Sequence, residues 1–233
     1  MRNARRAVPI VNAAALCACL ALGGPVAARA AAPGALTVTL AGMTPGEFVP
    51  GAYAYCVPSA QSPSTPGPNR SPEVRWSAGP SGTASYALIL SDPDVPAAFP
   101  PAGQPIPANA PRVTFYHWVL ADVPAATTEI AAGAESNGQA VTPPGPTPHG
   151  LRGLNGFGGG RAGYDGPCPP SGDERVHHYH FTVYALDVAR LGLSGNFNAA
   201  QALAAMQGHV LAQGEAVVTY SLNAAVRKNL GVR

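Results

Sequence analysis

Three short stretches of the sequence concentrate side chains that could do chemistry. Residues 91–96 (SDPDVP) directly follow an apolar run, and their prolines fix a turn and remove competing backbone donors. Residues 116–119 (YHWV) carry His117 within an aromatic segment. The third stretch, residues 163–170 (GYDGPCPP), is followed by residues 177–181 (HHYHF). Carboxylate, imidazole and phenol groups donate or accept hydrogen bonds, so together they could hold a small polar ligand.

Common catalytic motifs are missing from the sequence. It contains no G-x-S-x-G, G-x-x-x-x-G-K-[ST], H-E-x-x-H or C-x-x-C pattern, which weakens a hydrolase, NTPase or zinc-enzyme interpretation without excluding it. Asp92 and Asp94 lie too close in sequence to form a convincing general acid/base pair. His178 and His180 could bind Zn²⁺ or Cu²⁺ with a third ligand, but none is evident, and a solvated strand face is the better interpretation. We therefore expect no enzyme, no metal and no cofactor.

The elements that must position these side chains are mainly strands. Apolar runs that alternate or are bounded by turn residues predict five strands, at residues 36–40, 86–91, 113–123, 177–187 and 215–222. Alternation within the fourth strand puts His177 and Tyr179 on one face, and His178 and His180 on the other. Long loops are predicted by runs rich in Gly and Pro, at residues 51–72, 92–111 and 133–172.

One helix is predicted near the C-terminus. Asn198 can cap it, with Gln201 as the capping-box partner, and Gly214 can end it. Between them, apolar side chains repeat at helical spacing, at Leu203, Met206 and Val210. Together these elements predict a mainly β fold, an antiparallel domain with long loops and one or two short helices near the C-terminus.

Composition sets the class of protein. The 233 residues include 27 glycines and 26 prolines, which excludes long helices, a coiled coil and a helical bundle, and an apolar content of 46% excludes a mainly disordered chain. The formal net charge is only +2. Basic residues gather near the termini, at Arg2, Arg5, Arg6, Arg227, Lys228 and Arg233. No basic stripe remains in the interior, so we expect no nucleic-acid partner.

Residues 1–32 are expected to be a secretory signal peptide, and residues 33–233 a single domain. Three arginines among the first six residues form a basic start, an apolar run follows, and residues 28–30 (ARA) offer a small-x-small cleavage site. An uncleaved anchor is one alternative, and a lipoprotein that uses Cys17 or Cys19 is another. Cleavage predicts an exported protein, periplasmic or extracellular.

Two cysteines, Cys56 and Cys168, would remain after cleavage. In an oxidising compartment they predict a single disulfide, which would close a loop of more than 100 residues. Closing such a loop contributes about 4–5 kcal/mol to stability in the chain-entropy description. Two buried free thiols are the alternative.

The sequence resembles the phosphatidylethanolamine-binding proteins, specifically their bacterial Raf-kinase-inhibitor-like branch. The resemblance covers nearly the whole mature chain, from about residue 36 to residue 222. Five motifs carry it in the family's order: SPEVRW at 71–76, DPDVP at 92–96, HWV at 117–119, GYDGPCPP at 163–170 and HHYHFTVYALD at 177–187. One difference is the connection at 57–69, which is longer and richer in proline than is usual in the family.

The resemblance implies a large antiparallel sheet packed against a smaller one, with a small anion pocket at one edge. The pocket residues that it implies are Asp92, Pro96, His117, Gly166, Cys168, Pro169, His177 and Tyr179. The family's pocket is associated with phosphate or phosphorylated head groups. We expect Asp92 to favour the protonated form of His117. The imidazolium, the Tyr179 hydroxyl and loop amides could then donate to phosphoryl oxygens.

The favoured hypothesis is an exported small-ligand binding protein for phosphate or phosphorylated and anionic head groups, including those of phospholipids. A peripheral membrane or protein partner is compatible with it, and the sequence leaves the oligomeric state open. One alternative is an inhibitor or protein-interaction module that acts through its loops on a protease or kinase-like partner. A weak hydrolase using His117 and Asp92 comes third, because no activated nucleophile is visible beside them.

Overall fold

Twelve strands and two short α-helices make up the regular structure of residues 34–101 and 103–232, the part of the chain that the computed structural model describes. In chain order the strands are β1 (Gly34–Ala35), β2 (Val38–Leu40), β3 (Cys56–Val57), β4 (Thr65–Pro66), β5 (Val74–Trp76), β6 (Ser85–Pro96), β7 (Arg112–Pro124), β8 (Glu129–Ile130), β9 (Gly145–Thr147), β10 (Gly150–Arg152), β11 (His177–Leu186) and β12 (Val210–Tyr220). The helices are α1 (Ala199–Ala205) and α2 (Ala224–Asn229). The predicted signal peptide, with Cys17 and Cys19, lies outside the described residues.

Seven strands form one large sheet in the order β1-β12-β11-β6-β7-β10-β9. All neighbours in it are antiparallel except β1, which runs parallel to the edge of β12. A three-stranded sheet in the order β2-β5-β8 and the short β3-β4 pair complete the strand pairing of the described residues. The predicted mainly β fold, with a large sheet, a smaller sheet and short C-terminal helices, is confirmed.

The main hydrophobic core lies between the large sheet and the three-stranded sheet. Leu88 of β6 and Leu120 of β7 belong to the same buried cluster as Ile130 of β8, and all three side chains are fully buried. The opposite face of the large sheet packs against α1, where Val119 contributes to a second cluster with Phe197. Because successive strand residues point to opposite faces, β6 and β7 supply both layers of core.

The predicted strands at 113–123 and 177–187 are confirmed almost to the residue. They correspond to β7 and β11, the two longest periodic segments of the sequence. Along β11 the residues His177, Tyr179, Phe181 and Val183 are buried, whereas the intervening side chains are more exposed. The alternation read from the sequence therefore assigns the faces of this strand correctly.

The turn predicted at residues 92–96 is wrong, because β6 continues through it to Pro96. The pairing of β6 with β7 shifts register between Leu90 and Ser91 and again between Asp92 and Val95. Proline lacks an N–H and is found in sheets at edges and bulges, where no ladder hydrogen bond is needed from it. The irregular register thus lets Pro93 and Pro96 remain in the strand.

The predicted helix begins where expected but ends early. Asn198 accepts a hydrogen bond from the Gln201 backbone, and the Gln201 side chain accepts one from Asn198, so the capping box is confirmed. The helix ends at Ala205, and Val210, which was expected on its apolar face, begins β12. Val210 is in a strand rather than in the helix because β12 pairs with β11 along nearly its whole length. No helix among the described residues is long and apolar enough to cross a membrane.

Candidate functional site

A cavity of about 310 Å³ opens beside the irregular part of β6. We call it the His117 cavity, and its lining residues are Asp92, Val95, Phe99, Phe115, His117, Gly156, Phe157, Cys168, Pro169, Pro170 and Tyr179. Five of the eight predicted site residues line it, namely Asp92, His117, Cys168, Pro169 and Tyr179. Distant parts of the chain therefore converge on one small volume.

Three neighbouring strands and one loop bring these side chains together. Asp92 on β6 pairs with Phe115 on β7, and alternation along β7 returns His117 to the same face as Phe115. The ring of Tyr179, from β11, lies 5.2 Å from the ring of His117, centroid to centroid. Cys168 and Pro169 come from the loop that joins the β10 region to β11.

An aromatic wall encloses the polar end of the His117 cavity. The rings of Phe115 and Phe157 lie 4.9 and 5.4 Å from the His117 ring, both edge-on. Phe99 is 66% exposed at the outer side. Alternation with His117 could identify Phe115, but Phe99 and Phe157 lie in loops without periodicity, and they were not predicted.

Burial, rather than Asp92, controls the charge of His117. Its Nδ1 lies 2.8 Å from the carbonyl oxygen of Asp165, which can only accept, so Nδ1 carries a proton. Burial lowers the pKa of His117 below 6.5, and the nearby Asp92 carboxylate only partly opposes this effect. Asp92 does favour the protonated form, as expected, but the loss of hydration outweighs this attraction and the pKa of His117 is lowered overall.

The carboxylate of Asp92 is paired instead with His177. His177 Nδ1 lies 2.7 Å from Asp92 Oδ2, and His177 Nε2 lies 3.1 Å from Asp173 Oδ2. Both carboxylates accept, so both ring nitrogens must donate. Burial is the largest single effect on the pKa of His177, and it lowers that pKa. The hydrogen bonds and negative charges of Asp92 and Asp173 together outweigh burial, so the pKa lies above 6.5.

His177 is fully buried and does not line the cavity, contrary to its predicted role. Behind it, Arg112 forms a bidentate pair with Asp173, and the two side chains are 8% and 1% exposed. The hydrogen-bonded series Arg112–Asp173–His177–Asp92 thus alternates positive and negative charges behind the cavity. Each buried charge in it has an opposite partner, as burial requires.

Pro96 and Gly166 also do not line the cavity. Pro96 ends β6 opposite Arg112. Gly166 is a point of close approach, because a Cβ atom there would overlap the carbonyl oxygen of Tyr53. Its N–H donates to Asn69 Oδ1 at 2.8 Å, so this amide is already used inside the protein.

A second buried network holds the loop that carries Gly166. The Asp165 carboxylate accepts from Asn69, Asn155 and Arg161, each at 2.8 Å. Asn69 adopts a φ of 52°, a conformation that asparagine tolerates better than most residues. None of these partners was predicted, because they are polar residues of long loops and come together only in the folded chain.

The predicted disulfide joins Cys56 to Cys168, across a sequence separation of 112 residues. It ties β3 to the loop that forms one wall of the His117 cavity, because Cys168 and the following prolines line it. Tyr55 and Cys56 both donate backbone hydrogen bonds to the carbonyl of Pro167, which reinforces the same junction. Within the described residues, no group of three or more His, Cys, Asp or Glu is placed to hold a metal ion.

The Tyr179 hydroxyl and His117 Nε2 are buried polar atoms without a well-formed hydrogen bond to any described residue, although the Tyr179 hydroxyl lies close enough to the Asp92 carboxylate to interact with it. Both residues are nearly completely buried, at 1% and 3% exposure. Burial, followed by the charge of Asp92, raises the pKa of Tyr179 well above 10, so its hydroxyl stays protonated. Buried polar atoms are usually paired, and the two residues that carry these atoms line the same cavity.

Comparison with known proteins identifies relatives that match most of the described residues. The model of the family "Phosphatidylethanolamine-binding protein" matches residues 41–221. A UPF0098 protein of Aquifex aeolicus is 36% identical over 155 residues, covering 66% of this chain and 75% of that protein. The UPF0098 protein YbcL of Escherichia coli is 31% identical over 156 residues, covering 67% and 74%.

Solved structures agree with these matches. The crystal structure of E. coli YbcL, described as a new member of the mammalian PEBP family, aligns with a TM-score of 0.60 and 27% identity over 80% of this chain and 98% of that chain. The structure of a PEBP homolog from Chlamydia trachomatis aligns with a TM-score of 0.56 and 29% identity, covering 80% and 97%.

Proposed function

This chain belongs to the phosphatidylethanolamine-binding protein family, and from that premise we propose that it binds phosphate or a phosphorylated head group in the His117 cavity. Family membership makes it a small-ligand binding protein. The choice of ligand chemistry is the proposal, and it depends on the polar groups at the closed end of the cavity.

One observation supports the proposal above all others. His117 Nε2 is buried without a hydrogen-bond partner among the described residues, the Tyr179 hydroxyl has only the Asp92 carboxylate near it, and all three residues line the same cavity. Leaving such groups unpaired costs about 1–3 kcal/mol each, so a bound polar group that pairs with them would gain this free energy. A phosphate group that carries a proton can donate it to His117 Nε2 or to Asp92, and another of its oxygens can accept from the Tyr179 hydroxyl.

Asp92 restricts the ligand further. Its carboxylate can accept from the ammonium of a zwitterionic head group such as that of phosphoethanolamine. The apolar wall formed by Val95, Phe99 and Phe115 would contact the carbon atoms of the ligand. We propose a binding function without turnover, and the hydrolase hypothesis is one outcome of the test below.

Calorimetric titration tests the proposal directly. Phosphate and phosphoethanolamine are titrated into the wild type, into His117→Ala and into His209→Ala, whose ring is exposed and pairs with Asp187. We expect at least a tenfold loss of affinity in His117→Ala and no change in His209→Ala. Equal affinities in all three proteins would contradict the proposal, and ester turnover lost in His117→Ala would favour the hydrolase.

We also propose that residues 1–32 direct export and are then removed. Support comes from the basic start, the apolar run and the ARA site of the sequence, and from the disulfide, which suits an oxidising compartment. Intact-mass measurement of protein from the culture medium and from the periplasm tests this. A chain that retains its first 32 residues, or that carries a lipid, would overturn it.

A further inference from the structure

The His117 cavity has an unusual charge for an anion site. Among its eleven lining residues there is no Lys or Arg, and the one carboxylate is that of Asp92. The polar lining side chains are three, Asp92, His117 and Tyr179. A fully deprotonated anion would therefore meet a negative charge at the closed end and no positive side chain.

Asp92 presents acceptor oxygens only. Its Oδ1 accepts the Asp94 N–H at 2.8 Å, and its Oδ2 accepts from His177 at 2.7 Å. A carboxylate that accepts from these two donors has further lone pairs, and it offers no proton of its own. Any ligand atom that approaches it closely must carry a hydrogen.

His117 is a second acceptor. Because Nδ1 donates to the carbonyl of Asp165, the neutral ring carries no hydrogen on Nε2. Nε2 lies on the far side of the ring from Asp165 and has no regular partner among the described residues. The lowered pKa of His117 agrees with a neutral ring at neutral pH. Tyr179 is then the one side chain of the lining that can donate, and its hydroxyl already interacts with the Asp92 carboxylate.

We infer that the His117 cavity selects a ligand that supplies its own hydrogen-bond donor. The donor is either a proton on the phosphate group or an ammonium group next to the phosphate in the same ligand. A bare oxyanion such as sulfate, which has no donor, is rejected. Asp92 and His117 Nε2 are the acceptors that make this selection. The inference rests on the proposed function, and it concerns the proton that the ligand carries rather than whether phosphate binds.

Phosphate and sulfate provide a matched pair of probes. At about pH 8 both ions carry two negative charges and have nearly the same shape, but only hydrogen phosphate retains a proton. A site whose buried groups require a ligand hydrogen rejects an analogue that lacks it by factors of about 10⁴–10⁵ in favourable cases. For this small open cavity we expect phosphate to bind at least about 100-fold more tightly than sulfate.

The experiment is calorimetric titration of the wild-type protein at about pH 8 with phosphate, sulfate and phosphoethanolamine. Sulfate affinity within tenfold of phosphate affinity overturns the inference and leaves the proposed function standing. Failure of all three to bind overturns the proposed function itself. Binding of phosphoethanolamine alone supports the inference, because the ammonium is then the required donor.

The variant Asp92→Asn tests whether Asp92 is responsible for the rejection of sulfate. Asp92→Asn keeps the shape but adds an amide donor, so we expect sulfate to bind at least tenfold more tightly than it binds the wild type. The matched control Asp187→Asn changes a half-exposed carboxylate that pairs with His209, and its selectivity should not change. Unchanged sulfate rejection in a folded Asp92→Asn protein contradicts the role of Asp92. If that variant does not fold, the comparison of ions in the wild type still decides the inference.

Discussion

His177 is fully buried and is the hydrogen-bond partner of the Asp92 carboxylate that lines the cavity. His177 lies between Asp92 and Asp173, with Arg112 beyond them. Removing one member of such a buried series leaves an uncompensated charge, which costs more than the intact interaction contributes. Asp92 is therefore available to the cavity as an oriented acceptor because His177 holds it from behind.

The first prediction concerns the stability that His177 provides. Because its pKa is raised above 6.5 in the folded protein, this stabilisation is complete below about pH 6.5 and is lost as the pH rises through the folded-state pKa. In urea denaturation at pH 6, we expect the free energy of unfolding of His177→Gln to be about 3 kcal/mol lower than that of the wild type. At pH 9 this difference should be smaller.

His178→Gln is the matched control for that measurement, since this neighbouring side chain is about half exposed and its partner Asp94 keeps a second ion pair with Arg175. It should cost less than about 1 kcal/mol. A deficit in His177→Gln that is the same at both pH values would show that the His177 charge does not contribute in the folded state.

A second prediction at the residue scale concerns His117. Because burial lowers its pKa, the neutral ring favours the folded state, and this contribution is lost as the pH falls through the folded-state pKa. In NMR titration, the ring signal that disappears in His117→Ala should titrate below 6.5 in the ligand-free protein. A pKa above 6.5 would mean that His117 is protonated more readily than expected here. His117 Nε2 would then no longer be an acceptor, which would leave Asp92 as the acceptor of the cavity.

At the scale of elements, α1 illustrates how local rules place a boundary. The capping box of Asn198 and Gln201 satisfies backbone N–H groups at the first turn of this seven-residue helix. We expect Asn198→Ala to lower the free energy of unfolding by about 1 kcal/mol. Asn198→Asp keeps the acceptor and should be nearly neutral, so an equal loss in both variants would contradict the capping role.

The conformation of the loop at residues 163–170 requires its backbone to pass very close to the carbonyl of Tyr53. A methyl group at Gly166 would overlap the Tyr53 carbonyl, so the loop must shift in Gly166→Ala. We expect a loss of about 2 kcal/mol in urea unfolding and weaker phosphate binding. Gly34→Ala, where a Cβ meets only ordinary contacts at 3.6 Å or more, is the control and should change neither. A stable Gly166→Ala with wild-type affinity would contradict this account of the loop.

At the scale of the whole molecule, one covalent link spans much of the chain. The Cys56–Cys168 disulfide joins residues 112 apart and fixes a cavity wall to β3. In the chain-entropy description, the Cys56→Ser/Cys168→Ser double variant should lose about 4–5 kcal/mol of unfolding free energy. Wild type in reductant should lose a similar amount, whereas a loss below about 1 kcal/mol in both would contradict a stabilising role.

Much of the fold was accessible to sequence reasoning because it depends on local, periodic information. Alternation defined β7 and the buried face of β11, and a capping pattern placed the start of α1. The end of that helix was not accessible, because pairing between β11 and β12 overrides the helical spacing of Val210. The continuation of β6 through Pro93 and Pro96 likewise depends on a bulge that only the partner strand reveals.

The chemical groups of the site follow from the sequence alone. Its motifs contain Asp92, His117 and Tyr179, and the count of thiols singles out Cys56 and Cys168. Which imidazole favours the charged form depends on the folded chain. Asp92 lies 2.7 Å from His177, whose pKa is raised, while burial lowers the pKa of His117. The reason is that the free energy of a charge depends on lost hydration and on distances of a few ångströms across strands, and neither quantity is encoded in the spacing of residues along the chain.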